Sequence, residues 1–338
     1  MNRAPAWRKL LPAAALPLFA AALLYACSDN PAGPSDENPT YLAGETYFGA
    51  KNYIEYIAGD LPIVLGAPHG GYERPSSIPD RSGEGISTGR DLNTQELARE
   101  IALEFHRRTG RHLHVVICRL ARIKLDANRD VGEAALGNPE AIRAWEDWHR
   151  FIDAARDTIV ARFGAGLYID LHGHGHDLQR LELGYLLTSS ELELSDQQMI
   201  DVGLATESSI SALSAIASVT FPELLRGESS LGSLLTARSF ASVPSSWAPD
   251  PGGNPYFTGG YNTLRHGSRE GGSISSVQIE CNYTGVRDSE ANREEFATAL
   301  ASALEAYFIA HFGFTVTGEP VPQALSTEAA GAVPPPFW

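Results

Sequence analysis

The chain has 338 residues, 20% of them charged, and its formal net charge is −15 at pH 7. A chain this acidic is poorly suited to bind nucleic acid, because its average field repels phosphate groups. The length is enough to bury a sizeable core, and no internal repeat or proline-rich break divides it, so we expect one folded domain over residues 47–316.

The first 26 residues have the composition of a secretory leader. Arg3, Arg8 and Lys9 precede an apolar run that is short for a transmembrane helix, and Cys27 follows it in "LYAC". This ending resembles the lipobox of bacterial lipoproteins, with cleavage by ordinary signal peptidase as the alternative. We expect a lipoprotein signal peptide over 1–26, lipidation of Cys27, and an exported protein held at the periplasmic, outer-membrane or cell surface by its lipid anchor only.

Both flanks of the expected domain are rich in small and polar residues. Residues 27–46 include "SDNPAGPSDENPT", which has nothing to bury and predicts a disordered tether. Residues 317–338 have a similar character and predict a flexible C-terminal tail.

Between the flanks, apolar runs typical of buried strands alternate with helical patterns. The helices carry boundary signals, such as Asn138 with Pro139 at a first turn and Ser289 as a cap. Because the strands are apolar without alternation, the pattern predicts a three-layer α/β/α sandwich with a mainly parallel mixed sheet. The predicted elements are, in chain order, strand 61–68, helix 93–110, strand 113–120, helix 138–164, strands 166–172, 182–190 and 275–283, and helix 289–313.

Two cysteines lie in these strands, Cys118 in "HVVICRL" and Cys281 in "VQIECNY". An exported compartment permits a disulfide between them. Two buried free thiols are an equally good interpretation, and the spacing does not decide between the two.

Several predicted strands end in residues that can bind a metal or move a proton. Taken singly, His69 in "APHGG" also fits an exposed loop, and Asp91 fits an acid near a helix start. Burying the carboxylate of Glu280 at the end of an apolar strand costs free energy, which indicates that the group serves a function. A catalytic zinc needs three nitrogen or oxygen ligands, an open position and a nearby carboxylate, which His69, Asp91, His172 and Glu280 would supply if the strand ends meet.

The stretch "YIDLHGHGHDL" brings three histidines together. In an extended strand Asp170, His172, His174 and His176 would share one face, which suits a metal and also suits an exposed edge. Asp170 could orient His172 as a ligand.

The order of "PHGG", "LDANRD", "DLHGHGH", "GGYNTLRHG" and "VQIECN" resembles the N-formylglutamate amidohydrolase family, within the zinc carboxypeptidase-like hydrolases. That resemblance implies a phosphorylase/hydrolase-like α/β fold for the catalytic domain. It spans most of the expected domain, which makes it more specific than any single motif. The matching segments are residues 69–71, 125–129, 170–172, 259–266 and 278–280.

The resemblance implies one Zn²⁺ bound by His69, His172 and a carboxylate. The carboxylate is Asp91, which matches the family's acid before the helix, or Glu73, which fits the carboxypeptidase spacing. Glu280 would be the general base that activates the attacking water.

The resemblance also implies a set of substrate-binding residues. Arg129, with Asn128, would hold a substrate carboxylate in its guanidinium fork, whereas the alternative for Arg129 is a surface ion pair. Tyr261, Thr263 and His266 would line the other side of the pocket or bind an oxyanion, and His174 would contact substrate at the rim.

The expected activity is zinc-dependent hydrolysis of an amide or peptide bond in a carboxylate-bearing substrate, an N-acyl amino acid or a short peptide. The export signal and an unaligned insert over 183–250 make formylglutamate itself a poor candidate. One alternative is a non-catalytic peptide- or metal-binding lipoprotein on the same fold. A serine esterase using Ser87 in "GISTG" is disfavoured, because no apolar strand leads into that segment.

Overall fold

A single mixed sheet organises the chain. The computed structural model describes residues 40–321. The predicted signal peptide, the lipidation of Cys27 and most of the predicted tether and tail lie outside these residues. The strands are β1 (Thr46–Phe48), β2 (Ile54–Ile57), β3 (Ile63–Ala67), β4 (His114–Cys118), β5 (Gly166–Gly173), β6 (Leu181–Gly184), β7 (Ser242–Val243) and β8 (Ile274–Cys281).

The strand order is β1-β2-β4-β3-β5-β8-β6-β7. The central strands β4, β3, β5 and β8 are parallel, so their carboxyl ends meet at one edge of the sheet. Antiparallel pairings join β1 to β2, β2 to β4 and β6 to β8. The predicted α/β class with a mainly parallel mixed sheet is confirmed.

Helices cover both faces of the sheet. They are α1 (Thr94–Thr109), α2 (Val131–Ala135), α3 (Pro139–Phe163), α4 (Ser189–Leu192), α5 (Asp196–Asp201), α6 (Leu204–Glu207), α7 (Ser211–Ile216), α8 (Phe221–Arg226), α9 (Leu231–Thr236), α10 (Tyr261–His266) and α11 (Glu290–His311). One apolar cluster joins the sheet to α1 and α11, and a second joins the opposite face to α3. None of the helices within residues 40–321 is long and apolar enough to cross a membrane.

The predicted helix boundaries follow the local hydrogen bonds. The Asn138 side chain accepts hydrogen bonds from the backbone N–H groups of Glu140 and Ala141, and Ser289 accepts one from Asn292. These bonds satisfy amides that the first helical turn leaves free. Both predicted caps are therefore confirmed.

The structure adds elements that the sequence pattern does not predict. The edge strands β1 and β7 and the neighbouring strand β2 have two to four residues each, too few to show a periodicity. The insert folds into the six short helices α4 to α9. The predicted strand 182–190 ends at Gly184, because Leu186 has a left-handed backbone conformation and α4 begins at Ser189.

The described ends of the predicted tether and tail contact the domain. The Tyr41 ring lies edge-on to those of Tyr56 and Phe151, with centroids 5.1 and 5.8 Å away. At the other end, Arg111 donates a hydrogen bond of 2.9 Å to the carbonyl oxygen of Thr317.

Cys118 and Cys281 are both buried free thiols. Cys118 belongs to the apolar cluster on the α3 side of the sheet, and Cys281 belongs to the cluster on the α1 and α11 side. Because the sheet separates them, the structure favours the free-thiol interpretation.

Candidate metal centre

Three buried side chains from separate elements converge at the carboxyl edge of the sheet. Asp91 Oδ2 lies 3.5 Å from His69 Nδ1 and 3.2 Å from His172 Nδ1. One candidate ligand atom from each residue lies within 4.8 Å of the other two. His69 follows β3, Asp91 precedes α1, and His172 is near the end of β5. Two nitrogens and one carboxylate oxygen are a donor set that suits a divalent metal ion.

Close backbone packing fixes the loop that carries His69. A Cβ atom added to Gly71 would lie 2.1 Å from the carbonyl oxygen of Leu120. In addition, the backbone N–H of Asp91 donates a 3.2 Å hydrogen bond to the carbonyl oxygen of His69. The local sequence "HGG" therefore lets this loop pack against the backbone near Leu120, while a backbone hydrogen bond keeps His69 next to Asp91.

A second carboxylate bonds to the Nε2 atom of each histidine, on the side of the ring opposite Asp91. His69 Nε2 lies 2.6 Å from Asp126 Oδ1, and His172 Nε2 lies 2.9 Å from Asp170 Oδ2. Both rings therefore turn Nδ1 toward Asp91. His69 Nδ1 is buried without a hydrogen-bond partner, as expected for an atom that would coordinate a metal. Carboxylates in this position fix the orientation of ligand histidines and raise their basicity.

The ionisation of the carboxylates agrees with this arrangement. Burial raises the pKa of Asp126, but the charge and hydrogen bond of His69, with Arg122, outweigh burial and hold that pKa well below its usual range. Burial likewise opposes the ionisation of Asp91, while the hydrogen bond to His172 and the charge of His69 lower its pKa. Both groups are carboxylates at neutral pH.

Replacing Asp126 by asparagine should weaken zinc binding about 10- to 100-fold. The amide keeps the size of the side chain but removes the negative charge that orients His69. The measurement is a zinc titration against a competing chelator. Asp130→Asn is the matched control, since Asp130 caps α2 in the same segment. Equal affinities for Asp126→Asn and the unaltered protein would refute a supporting role for Asp126.

Glu280 lies in one row with the candidate ligand His172. In the sheet register, Glu280 is the partner of His172 on β5 and of Glu182 on β6, so the three side chains share one face. Gln278 Nε2 donates a 3.0 Å hydrogen bond to Glu280 Oε1. Burial, supported by the charges of Asp91 and Glu182, raises the pKa of Glu280 to about 8. A carboxyl group with such a pKa can accept and return a proton near neutral pH.

Asn128 and Arg129 lie beside the site in different roles. Asn128 Nδ2 is 3.3 Å from His172 Nε2, and its Oδ1 accepts a 2.7 Å hydrogen bond from the backbone of Asn262. Arg129 Nε donates to Glu133 at 3.0 Å, and its NH1 donates to the carbonyl oxygen of Asn128. Asn128 thus lies against His172 and holds the backbone of Asn262, whereas the guanidinium of Arg129 is already paired with a carboxylate.

The other predicted ligand, Glu73, lies outside the converging group. Its carboxylate forms a 2.6 Å ion pair with Arg119, and its backbone pairs with that of Leu120. Of the two carboxylates that the sequence left open, the structure therefore brings Asp91 to the histidines.

The "GGYNTLRHG" segment forms helix α10, and its side chains differ from the predicted pocket lining. His266 is fully buried, with Nε2 2.9 Å from His149 Nδ1, so it is packed inside the protein and does not line the site. Thr263 is also fully buried. Tyr261 lines a cavity of about 530 Å³ with Asp153, Arg156, Leu264, Arg265 and Glu270, none of which belongs to the converging group.

His174 and His176 belong to a second group with Glu182. Both ring nitrogens of His174 bond to the backbone: Nε2 lies 2.8 Å from the carbonyl oxygen of Arg180, and Nδ1 accepts from the N–H of His176. His174 is therefore a structural residue here, without a free nitrogen for the predicted substrate contact. His176 Nδ1 lies 2.8 Å from Glu182 Oε1.

Sequence reasoning missed two residues that support the ligands. Asp126 lies in the matching segment 125–129, which follows a strand, but the sequence predicts no role for it in the site. Asn262 donates a 3.2 Å hydrogen bond to Asp170 Oδ1, and the Tyr168 hydroxyl donates one of 3.0 Å to the same atom. The position of Asp126 after a strand was a sequence signal that could have placed it at the site, whereas nothing in the sequence pointed to Asn262.

No protein-family model and no curated protein matches this sequence. Among solved structures, N-formylglutamate amidohydrolase from Ralstonia eutropha JMP134 is 13% identical, with a TM-score of 0.45, covering 74% of this chain and 96% of that one. A gene product of Agrobacterium tumefaciens is 15% identical, with a TM-score of 0.39 and coverages of 75% and 94%. N-acetylmuramyl-L-alanine amidase from Mycobacterium smegmatis is 13% identical, with a TM-score of 0.33 and coverages of 74% and 97%. The structural neighbours thus include an N-formylglutamate amidohydrolase and an amidase, at low sequence identity.

Proposed function

We propose that this protein is a zinc-dependent amidohydrolase that cleaves an amide or peptide bond in a substrate with a free carboxylate. The observation that carries the proposal is the convergence of His69 Nδ1, His172 Nδ1 and Asp91 Oδ2, with each histidine held by its own carboxylate. Glu280, in the same row as His172, adds a proton acceptor.

His69, His172 and Asp91 would hold one Zn²⁺. Three protein ligands leave a coordination position open, which is typical of catalytic zinc sites. The ion would supply Lewis acidity to the scissile carbonyl group and lower the pKa of water.

The protein's own residues account for the proton transfers. Glu280 takes a proton from the attacking water while the water oxygen bonds to the amide carbon. It then returns that proton to the amide nitrogen as the carbon–nitrogen bond breaks, giving a carboxylic acid and an amine. Asp126 and Asp170 keep the histidines oriented. A guanidinium beside the site would anchor the substrate carboxylate, the role that the sequence predicts for Arg129.

The two alternatives, a serine esterase and a non-catalytic binding protein, require different residues from those found at this site. Ser87 lies in an irregular segment, and its carbonyl oxygen accepts a 3.0 Å hydrogen bond from Arg81, so the strand-to-helix turn of a serine esterase is missing there. A protein that only binds peptide or metal has no need of the buried Glu280 beside the candidate ligands, and this residue favours the enzyme.

A substrate screen with and without chelator tests the proposal. The purified protein, reconstituted with Zn²⁺, should carry about one ion and hydrolyse members of a panel of N-acyl amino acids and short peptides, substrates that an exported lipoprotein could meet. Chelator should abolish the hydrolysis, and added Zn²⁺ should restore it. Failure to retain zinc, or hydrolysis that chelator does not affect, would refute the proposal.

A further inference from the structure

Arg180 carries a positive charge that no described carboxylate contacts, although the charges of Glu182 and Asp250 attract it from a distance. Its Nε is buried without a hydrogen-bond partner, and its NH2 makes a long contact of 3.4 Å with the carbonyl oxygen of Pro251. Within residues 40–321, no carboxylate forms an ion pair with it. A partly exposed guanidinium without an ion-pair partner can bind an anion from outside the chain.

The chain position of Arg180 places its backbone at the edge of the sheet near Glu280. Arg180 precedes Glu182 by two residues, and Glu182 is the register partner of Glu280 on the antiparallel strand β8. Arg180 immediately precedes β6, so its backbone lies past the carboxyl end of β8, two residues along the chain from the row that contains Glu280. The hydrogen bond from His174 to the Arg180 carbonyl oxygen fixes the backbone there.

Two stacked rings, those of His176 and Phe257, belong to residues that bond to the Glu182 carboxylate at this edge of the sheet. Glu182 binds His176 Nδ1 through Oε1 at 2.8 Å and accepts a 2.9 Å hydrogen bond from the Phe257 N–H through Oε2. The rings of His176 and Phe257 stack with centroids 4.8 Å apart and an interplanar angle of 4°. Phe257 is still 40% exposed, so its ring offers an apolar surface next to Glu182 and His176.

The surrounding charges restrict what can bind. Asp91, Asp170 and Glu182 make this edge of the sheet acidic, and a substrate with two carboxylates would meet repulsion that one arginine does not offset. Arg129, the residue that the sequence predicts for this role, is already paired with Glu133. The guanidinium of Arg180 and the exposed ring of Phe257 therefore favour a substrate with one carboxylate and one large apolar group.

We propose that Arg180 binds the substrate's carboxylate and that Phe257 packs against the neighbouring side chain. The substrate class is then N-acyl amino acids, or short peptides with a C-terminal residue, whose side chain is large and apolar, in preference to N-acyl glutamate. This inference rests on the proposed amidohydrolase function.

The test compares two substrates that differ in the carboxylate alone. Zinc-loaded protein should hydrolyse N-acetylphenylalanine with a kcat/KM at least about tenfold above that for N-(2-phenylethyl)acetamide, and also above that for N-acetylglutamate. Arg180→Gln should lower kcat/KM for N-acetylphenylalanine about 10- to 100-fold, through KM, and leave N-(2-phenylethyl)acetamide nearly unchanged. For N-acetylphenylalanine, the kcat/KM of Arg180→Lys should lie between those of Arg180→Gln and the unaltered protein. Lysine keeps the charge but lacks the planar guanidinium that binds a carboxylate through two nitrogens.

Arg143→Gln is the matched control, because Arg143 is a surface arginine on α3 whose side chain is 61% exposed. It should behave as the unaltered protein does. Equal losses on both substrates in Arg180→Gln, or a loss that appears in Arg129→Gln and not in Arg180→Gln, would overturn the assignment.

A binding measurement separates this inference from the proposed function. Calorimetric titration of the zinc-loaded protein with 3-phenylpropanoate should show about tenfold weaker binding for Arg180→Gln than for Arg143→Gln, with 3-phenylpropanamide unaffected. If no substrate is hydrolysed but this difference is found, the hydrolytic function is wrong and the carboxylate site stands. If hydrolysis occurs and the two variants bind alike, the carboxylate site is wrong and the hydrolytic function stands.

Discussion

Replacing Glu280 by glutamine should lower kcat by about two to four orders of magnitude and leave the zinc content unchanged. Glutamine has nearly the same shape, and Gln278 can still bond to its side-chain oxygen, but an amide cannot take the proton from water. Glu280 is not among the three converging atoms, so the metal should remain. The measurements are steady-state kinetics on the best substrate of the panel and metal analysis of the same samples.

The same substitution should not weaken the fold. Burial raises the pKa of Glu280 to about 8, so folding disfavours its charged form. By linkage, this group's contribution to stability falls as the pH rises from the unfolded pKa toward about 8. In metal-free protein above pH 8, Glu280→Gln should therefore melt at the same temperature as the parent or higher.

Glu104→Gln provides the control for that experiment. Glu104 is a buried carboxylate on α1 that pairs with Arg107 at 2.8 Å, and it belongs to neither group of candidate ligands. Its variant should keep normal kinetics. Full activity in Glu280→Gln would assign the general base to another residue and contradict the mechanism.

Replacing Asp91 by alanine should abolish stoichiometric zinc binding and, with it, all hydrolysis. Asp91 supplies the only carboxylate oxygen within the converging group of described residues, and its loss leaves two histidines, fewer than a catalytic zinc site uses. The readouts are zinc retained after dialysis and hydrolysis of the same substrate, each at saturating added Zn²⁺.

Glu73→Ala is the matched variant, because Glu73 is the carboxylate that the carboxypeptidase spacing would select. Its ion pair with Arg119 is partly exposed, so its removal should change stability little. We expect normal zinc content and normal kinetics. Zinc loss in Glu73→Ala together with zinc retention in Asp91→Ala would reverse the assignment of the third ligand.

The sequence by itself determined the class of fold and the strand ends where chemistry is concentrated. Apolar runs alternating with capped helices are local signals, and the central strands and long helices appear where those signals predict them. The alternation of side chains in a strand was also enough to place Asp170 and His172 on one face. Edge strands, the insert and α10 escaped prediction because segments of two to six residues are too short to show a period.

Only the tertiary structure decided which of these residues act together. Asp126 contacts His69 across 57 residues of chain, and the choice between Asp91 and Glu73 depends on how two loops pack. His266 is buried because α10 packs on β5 and β8 with this ring against His149 of α3, and Arg180 has no ion pair because no described carboxylate lies in contact with it. Sequence periodicity reports which face a side chain takes, whereas distances between residues far apart in the chain arise only when the layers pack together.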